Sequence, residues 1–445
     1  MTNVGKINIV DVVIKGTIQF LFLFVFLQVS QICSASQVID STPFFNQCIK
    51  DNKVIELRKG MTYYLKSKLI AGNHIVVRGH GAKIVIPETY PVNRYDNIFT
   101  LKDSGIIDLK DIEIYCLLKQ KFPKKDSIGD TFFISAAKGL IRLRHVNFEC
   151  RTHYNNVTFV FSTGANIYMD HCHVVNNTLS KQGGILWYMS RTNPIGSIIL
   201  KNSYFEHDAM DESMCFSVSG IAKVRKCVIN ASVKNCTYYS PCLSPSSGMI
   251  ILYNHNNHTF ADVRVNYQNC NFIWDGANRR RIQTLQCGTD ISWHYGVFDT
   301  KFNHCEISCS INQKIDNGLI GLLPSKRNGD IDDTSYTFRN CSFKIHNYGC
   351  LIGDKDGDCK GKYTFIGCKI ESDCHLFQKK YNYGSGKIFI DLDNTSCAST
   401  DEVISTEKLS ANKSKFTNII GKIINVDSKL NSLHNCKVNN KMISM

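Results

Sequence analysis

The acidic segment FEHDAMDESMCF, at positions 205–216, holds the residues whose types and spacing are most typical of chemistry. It carries His207, Asp208, Asp211 and Glu212 within six positions. Carboxylates placed close together raise one another's pKa, so one can serve as a general acid while another serves as a base. These four residues are therefore the candidate catalytic residues. Alternatively, the oxygens hold Ca²⁺, or the segment is simply a solvated acidic loop.

A polysaccharide lyase needs a basic residue facing such acids, and the sequence offers three cations nearby. Lys201 precedes the acidic segment, and Lys223 and Arg225 follow it. Each of them also fits a simpler interpretation as a strand residue that faces solvent. The sequence therefore does not assemble a complete catalytic set.

A second candidate surface combines arginine with tryptophan. Arg279, Arg280 and Arg281 form a cationic run between Trp274 and Trp293. Aromatic faces stack on apolar rings and cations, and guanidinium groups pair with carboxylates or sulfates. These five residues are predicted to bind substrate, which would be a glycan or an acidic polysaccharide. A solvated basic loop is the alternative.

Ca²⁺ is the one cofactor that the sequence suggests. Asp354, Asp356 and Asp358 are spaced as at the start of a Ca²⁺ loop. The twelfth position is Phe365, where the glutamate of an EF-hand would stand. The sequence thus requires no cofactor and leaves Ca²⁺ open, either here or at the acidic segment.

The elements that position these residues follow from a six-residue repeat. Its unit reads apolar, any residue, a residue that tolerates a left-handed backbone, small or apolar, polar, apolar. Ten copies occur: LKDIEI (109–114), LRHVNF (143–148), MDHCHV (169–174), LKNSYF (200–205), VRKCVI (224–229), YQNCNF (267–272), FNHCEI (302–307), FRNCSF (338–343), FIGCKI (365–370) and LHNCKV (433–438). A degenerate copy near LDNTSC (392–397) falls in the longest gap.

The third position of the unit is predicted to be a tight bend. It is occupied by Asp111, His145, His171, Asn202, Lys226, Asn269, His304, Asn340, Gly367 and Asn435. All except the lysine belong to types enriched at positive φ. The histidines are therefore interpreted as bend residues, and no metal ligand is predicted. Apolar residues alternate after each bend, as at Cys270, Phe272 and Trp274, which indicates strands with one buried face.

Stacked strands and bends of this kind predict an all-β fold, a parallel β-solenoid of about 10–12 coils with a rise near 4.8 Å per coil. The chain has 20 cysteines among its 445 residues. Seven copies carry one at their fourth position: Cys172, Cys227, Cys270, Cys305, Cys341, Cys368 and Cys436. This column should face inward as a mostly reduced ladder, because Cys acts as a small buried hydrophobe. Cys236 with Cys242, and Cys350 with Cys359, are better candidates for loop disulfides.

Residues 54–86, VIELRKGMTYYLKSKLIAGNHIVVRGHGAKIVI, resemble the first coils of right-handed parallel β-helix proteins of the pectin lyase-like superfamily. The matching positions are Gly60, Tyr63, Gly79, Gly81 and Ala82. The sequence departs from the pattern at Arg58 and Lys59, where proline is commoner. The resemblance is one of architecture and covers roughly residues 50–440. It implies the fold of pectate lyases and tailspikes, in which lyases use Ca²⁺ to bind uronate and tailspike-like relatives are often homotrimers.

The N-terminus has the layout of a signal peptide over residues 1–36. An apolar run at 17–29 follows two lysines and precedes small residues, and it is short for a transmembrane helix. Residues 37–53 are predicted to form an N-terminal cap, and 54–440 a single β-helix that becomes less regular from about 376. The expected location is therefore secreted, extracellular or on a cell surface, with no membrane span left after cleavage.

Two classes of function remain. The net charge of +14 favours polyanionic partners, but no basic helix or stacking module indicates nucleic acid. The first class is a secreted or surface β-helix that binds polysaccharide along its side without a catalytic set. The alternative is a carbohydrate-active enzyme, a polysaccharide lyase or glycoside hydrolase that uses the acidic segment. Eight Asn-x-Ser/Thr triplets would be glycosylated only on a eukaryotic secretory route.

Overall fold

The computed structural model places the chain in two compact units, Met1–Asp40 and Ser41–Met445. The residues that the structure describes are 39–91, 96–118, 131–151, 157–177, 184–191, 193–207, 214–218, 226–241, 250–254, 260–276, 285–287, 296–322, 333–353, 361–373, 375–378, 388–399, 408–417 and 432–443. Nearly all of them are strand, in a single hydrogen-bonded system that belongs to the second unit.

The described elements begin with a helix and seventeen strands. They are α1 (Thr42–Lys50), β1 (Ile55–Glu56), β2 (Thr62–Tyr64), β3 (Gly72–Ile86), β4 (Asn97–Cys116), β5 (Thr131–Ala136), β6 (Leu140–Cys150), β7 (Val157–Ser162), β8 (Asn166–Asp170), β9 (His173–Asn176), β10 (Leu186–Ser190), β11 (Ile195–Lys201), β12 (Tyr204–Glu206), β13 (Met214–Val218), β14 (Lys226–Lys234), β15 (Thr237–Ser240), β16 (Ile250–Asn254) and β17 (Phe260–Gln268).

Sixteen further strands follow. They are β18 (Asn271–Gly276), β19 (Leu285–Cys287), β20 (Gly296–Asn303), β21 (Glu306–Leu322), β22 (Asp333–Arg339), β23 (Ser342–Gly353), β24 (Gly361–Ile366), β25 (Lys369–Ser372), β26 (His375–Gln378), β27 (Ile388–Asp393), β28 (Ser396–Ser399), β29 (Lys408–Asn412), β30 (Lys415–Thr417), β31 (Ser432–His434), β32 (Cys436–Val438) and β33 (Lys441–Ile443).

Parallel pairing between successive coils arranges these strands into three faces. Face A contains the segments before each bend, as in the series β8, β11, β14, β17 and β20. Face B contains the segments after the bend, such as β9, β12, β15 and β18. Face C contains β5, β7, β10, β13 and β16. The long strands β3, β4, β6, β21 and β23 continue from one face to the next.

The bend between faces A and B recurs in every coil because the backbone turns there through positive φ. The bend residues are Asp111, His145, His171, Asn202, Asn235, Asn269, His304, Asn340, Gly367, Asn394, Lys413 and Asn435. Asp, Asn, His and Gly populate this region at low cost. In the first coil the chain bends close to Gly79, where an added side chain would collide with the backbone oxygen of Asp111. The predicted parallel β-helix is therefore confirmed.

The bend predicted at Lys226 is wrong. With the bend at Asn235, the spacing of the repeat units becomes more regular. The fifth unit is VKNCTY (233–238), whose bend is Asn235 at a φ of 53°. Lys226 instead begins β14, in which Cys227 pairs with Ala261 in the register of face A. The residues after Lys226 mimic the unit in composition, but asparagine meets the positive-φ requirement better than lysine. The degenerate copy near 392–397 does bend, at Asn394.

The cysteine column runs through the corrected repeat. In consecutive coils the interior position after the bend is occupied by Cys172, Ser203, Cys236, Cys270, Cys305, Cys341, Cys368, Thr395, Ser414 and Cys436. The cysteines of this column are almost fully buried and are free thiols. Cys236 therefore belongs to the core and is not a loop cysteine, while Cys242 and Cys359 lie outside the described residues.

Aromatic side chains form a second interior column, on the inner surface of face A. Tyr267, Phe302, Phe338 and Phe365 stack in sequence, with ring centroids 4.8, 4.8 and 4.9 Å apart. The spacing equals the rise of one coil, so every ring rests on the next in nearly parallel orientation. Burial of these rings fixes the register of the strands, since a slip by one residue would turn them to the solvent.

At each end of the described β-helix, an element other than a parallel coil packs against or pairs with the terminal coils. Helix α1 buries Phe45 and Ile49 in the same core as the first coils. Its Thr42 hydroxyl accepts hydrogen bonds from the backbone of Lys66 and Ser67. At the other end β33 pairs antiparallel with β32. Both devices occupy strand or core surface that the last coil of a solenoid would otherwise expose.

We predict that Cys236, Cys270, Cys305, Cys341 and Cys368 are reduced in the folded protein and shielded from reagents. All five side chains are at most 3% exposed, which shields them from reagents. For Cys236, burial also raises the pKa to about 12, so this thiol forms little reactive thiolate at neutral pH. Peptide mapping after alkylation should find all five unlabelled before denaturation and labelled after it without reductant. Cys48, which is partly exposed, is the internal control that should label first. A disulfide between any two of the five would contradict the prediction.

Candidate functional site

Of the four candidate catalytic residues in the acidic segment, the structure describes only His207. His207 is 1% exposed and lies in the interior column of face B, where its backbone N–H donates to the Tyr239 carbonyl at 3.1 Å. An added side chain at Gly184 would collide with its imidazole. Burial lowers the pKa of His207 to about 3, so the ring is neutral. Asp208, Asp211 and Glu212 lie outside the described residues.

Glu206, which the sequence did not single out, is anchored next to this segment on the outer surface of face B. Its two carboxylate oxygens accept hydrogen bonds from Asn177 Nδ2 at 2.7 Å and from the Tyr204 hydroxyl at 3.0 Å. Arg151 Nη1 lies 3.6 Å from the same carboxylate. Burial and the adjacent Glu206 raise the pKa of Tyr204, which therefore remains a hydrogen-bond donor. Glu206 thus fixes the strand that leads into the acidic segment.

The predicted arginine and tryptophan surface is divided by the structure. Trp274 is 1% exposed and packs in the core, with its ring centroid 6.3 Å from that of Phe272. Its inward position is the one that the alternation after the Asn269 bend requires. It therefore does not contribute to a surface that binds sugar. Arg279, Arg280, Arg281 and Trp293 lie outside the described residues.

A groove of about 320 Å³ crosses four consecutive coils on the outer surface of face A, at β11, β14, β17 and β20. Two outward columns line it. The first column comprises Ser197, Asn230, Arg264 and Asp299, and the second comprises Ile199, Ser232, Asn266 and Lys301. Each column repeats once per coil, about every 4.8 Å. The groove is thus a regular array of amide, hydroxyl and charged groups along the axis of the β-helix.

The charges in and beside the groove are paired. Lys301 Nζ lies 2.9 Å from Asp299, which also accepts a hydrogen bond from the Ser335 hydroxyl at 2.9 Å. Arg264 donates through Nε and Nη2 to the carboxylate of Asp262, at 2.8 and 3.1 Å. Although burial opposes it, hydrogen bonds from Arg264 and Lys226 lower the pKa of Asp262. That carboxylate is therefore ionised at neutral pH and cannot donate a proton as a general acid.

Asn266 has a fixed orientation in the groove because its Oδ1 accepts a hydrogen bond from Asn303 Nδ2 at 2.9 Å. Its own amide N–H groups, like those of Asn230, are donors that face the outer surface. Planar amide and guanidinium groups of known orientation are suited to bind vicinal hydroxyls and carboxylates. The groove can therefore bind a polar, extended ligand, and its described carboxylates are committed to cations.

The alternation of apolar residues before each bend also predicts this groove. In FADVRVNYQ (260–268) the residues Val263, Val265 and Tyr267 alternate and lie inside. Alternation then requires Arg264 and Asn266 to face outward. Alternation in the strand before the bend thus predicts which residues line the groove, just as alternation in the strand after the bend predicts which residues lie in the core.

No group of three or more His, Cys, Asp or Glu side chains is placed to hold a metal ion within the described ranges. Asp354, Asp356 and Asp358 lie outside these ranges. In the same described part of the chain, no helix is both long and apolar enough to cross a membrane. The sites predicted for Ca²⁺ therefore remain predictions.

We predict that buried His207 makes the protein less stable as the pH is lowered from 6.5 towards 3. The folded pKa is about 3 against an ordinary 6.5, so the unfolded chain binds more protons throughout this window. The free energy of unfolding should fall by up to about 1.4 kcal/mol per pH unit from this residue. Chemical denaturation at several pH values should show a shallower fall in His207→Leu.

The matched control for this measurement is His304→Asn, at an exposed bend where other coils carry asparagine. This variant should keep the acid-dependent fall of the wild-type protein. If the slope of His207→Leu equals that of the wild-type protein, His207 does not titrate as its burial requires.

No protein-family profile matches the chain, and no curated protein matches it. Similar solved structures are those of the tailspike protein of E. coli bacteriophage HK620. A variant in complex with a pentasaccharide is 13% identical, with 91% of this chain and 75% of the tailspike chain covered and a TM-score of 0.44.

Two further tailspike structures are similar at the same level. A second pentasaccharide complex is 14% identical, covers 90% of this chain and 75% of the tailspike, and has a TM-score of 0.43. Another tailspike variant is 13% identical with the same coverage and a TM-score of 0.40. At these identities and TM-scores the likeness carries no argument, and it is the parallel pairing of strands between successive coils that makes this chain a parallel β-helix.

Proposed function

We propose that this protein binds a glycan along the outer surface of face A. The observation that carries the proposal is the groove at β11, β14, β17 and β20, with its two columns of outward polar side chains in register. The ligand would lie parallel to the axis of the β-helix, with successive sugar residues facing successive coils.

The chemistry of the groove favours a polyhydroxylated polymer. Asn230, Asn266 and Ser232 offer both donors and acceptors, as sugar hydroxyls do. Ile199 adds an apolar surface between them, against which the C–H groups of a sugar ring can pack. The hydrogen-bond donors of successive coils are about 4.8 Å apart, which is similar to the length of a pyranose residue in an extended chain. A polymer can therefore make the same contacts several times over.

A peptide strand fits the groove less well. The backbone groups of β14 and β17 are already paired with the coils on both sides, so no free strand edge is offered for β-augmentation. Binding must then depend on side chains that project from the face. The mixed amide, hydroxyl and ion-paired side chains are suited to sugar hydroxyls.

We also propose that the protein acts outside the cell. The layout of residues 1–36 is that of a signal peptide, and polysaccharides are ligands of secreted and surface proteins. The homotrimer and the bound Ca²⁺ that the superfamily resemblance implies remain proposals of the same kind.

Catalysis is the second candidate function, and it would use Asp208, Asp211 and Glu212. Clustered carboxylates of this kind support the proposal of a lyase or glycoside hydrolase. The ionised, cation-paired Asp262 beside the groove favours binding over acid catalysis at face A. An enzyme would therefore have to place its acid and base elsewhere than in the groove.

Substitution of groove residues should weaken glycan binding. Asn266→Ala and Lys301→Ala each remove a side chain from the second column, and each should weaken the affinity for a polysaccharide found on a glycan array at least tenfold, or about 1.4 kcal/mol. Asn271→Ala and Lys344→Ala are matched controls, since both positions are exposed on face B. Equal affinity of the groove variants and the wild-type protein would refute the proposal.

The enzymatic alternative has its own test. The mature protein is incubated with acidic and neutral polysaccharides, and unsaturated products and new reducing ends are measured. Activity that disappears in Asp211→Ala or Glu212→Ala, with binding retained, would establish the enzyme. Binding without turnover in the wild-type protein would exclude it for the polysaccharides tested.

A further inference from the structure

An arginine cluster lies on face A, on the N-terminal side of the groove. The carboxylate of Asp108, on β4, is fully buried and is surrounded by three guanidinium groups. The Nη2 atoms of Arg78, Arg142 and Arg144 lie 2.8, 2.7 and 3.2 Å from its Oδ2. Arg78 comes from β3, and Arg142 and Arg144 come from β6; these strands lie on either side of β4, so the β-helix itself brings the arginines together.

The cluster carries more positive charge than its carboxylate can neutralise. Three arginines face one aspartate, which leaves a net charge of 3 − 1 = +2. Hydrogen bonds from Arg142 and Arg78 outweigh burial and lower the pKa of Asp108, so it stays ionised. The arginine side chains remain 25%, 36% and 31% exposed. Each guanidinium therefore keeps N–H groups that do not point at Asp108 and that solvent can reach.

The composition of the cluster also indicates an anion-binding site. A single arginine would neutralise Asp108, and each further arginine adds a free-energy cost because its cation must be desolvated. In the outward column of face A, Lys110 lies between Arg78 and Arg144, which makes a line of three cations in consecutive coils. Lys110 Nζ also lies 3.4 Å from the carboxylate of Asp111, so the arginines provide the excess positive charge.

We propose that Arg78, Arg142 and Arg144, with Lys110, form an oxoanion subsite that binds the carboxylate or sulfate groups of an acidic polysaccharide. The proposal rests on the glycan-binding function of the groove and names the chemical class of its ligand. Arg142 and Ile199 occupy the same outward column two coils apart, through Tyr168. The distance is about 10 Å, so one polymer chain can occupy both the subsite and the groove.

The surroundings of the cluster favour a polysaccharide over a nucleic acid. The cations lie in one narrow line, and face A then changes to mixed charge at Asp170 and Asp299. A duplex backbone needs a broad basic surface, and single strands need aromatic stacking platforms. An anionic sugar polymer needs only a charge at intervals along its length, with neutral hydroxyl contacts between.

The test compares three polymers: heparin as the sulfated probe, polygalacturonate as the carboxylated probe and dextran as the neutral probe. Their affinities for the wild-type protein, Arg142→Gln, Arg144→Gln and the double variant are measured by calorimetry at two salt concentrations. The charge-retaining variant Arg142→Lys tests the planar fork of the guanidinium. Arg151→Gln, a surface arginine paired with Glu149, is the control. Thermal unfolding verifies that each variant is folded.

The proposal expects heparin or polygalacturonate to bind at least tenfold more weakly to each single glutamine variant, with a smaller salt dependence. Dextran binding and the control variant should be unchanged, and Arg142→Lys should lose part of the affinity. Equal binding of the acidic polymers to folded variants and wild type would overturn the subsite but not the groove, which its own variants test. If none of the polymers binds, the subsite and the proposed function both fail. Equal competition by duplex DNA would overturn the assignment to polysaccharide.

Discussion

The structure depends on one constraint, which is that each coil must bend at the same place as the coil beneath it. The backbone N–H and C=O groups of a coil are satisfied only by its neighbours, so a bend out of line would leave buried polar groups without partners. Positive φ at a single residue makes the turn tight enough to repeat. Residues of the types Asn, Asp, His and Gly occupy this position in every bend except that of Lys413, and together these bends hold the stack in register.

Register then converts sequence alternation into columns. Inside, thiols and hydroxyls occupy the narrow space after the bend, and aromatic rings stack where the strand before it lies. Outside, the same alternation sets side chains of successive coils about 4.8 Å apart in lines. The groove and the arginine cluster are both products of this geometry, since their members in adjacent coils are 30–36 residues apart in sequence and adjacent in space.

The candidate functional residues were predicted from the sequence by a different criterion from the fold. Local clusters such as 207–212 were chosen because their members are close in sequence. In a β-helix, neighbours in sequence point to opposite sides of the sheet, as buried His207 and anchored Glu206 illustrate. Trp274 was chosen as an aromatic beside arginines, yet its place in the alternation puts it in the core. Functional groups on this fold have to be sought along columns.

By itself the sequence determined that the chain is a parallel β-helix, where most of the bends fall and which face of each strand after the bend is buried. These are local properties, decided by the φ preference of single residues and by alternation over a few positions. Tertiary structure decided that Asn235 rather than Lys226 makes the bend, through the stacking on the neighbouring coils, and the sequence agrees, because VKNCTY matches the unit at every position whereas Lys226 departs from it. Tertiary structure also decided that three arginines converge on Asp108, since no rule of spacing in a repeat of variable length predicts which outward residues share a column.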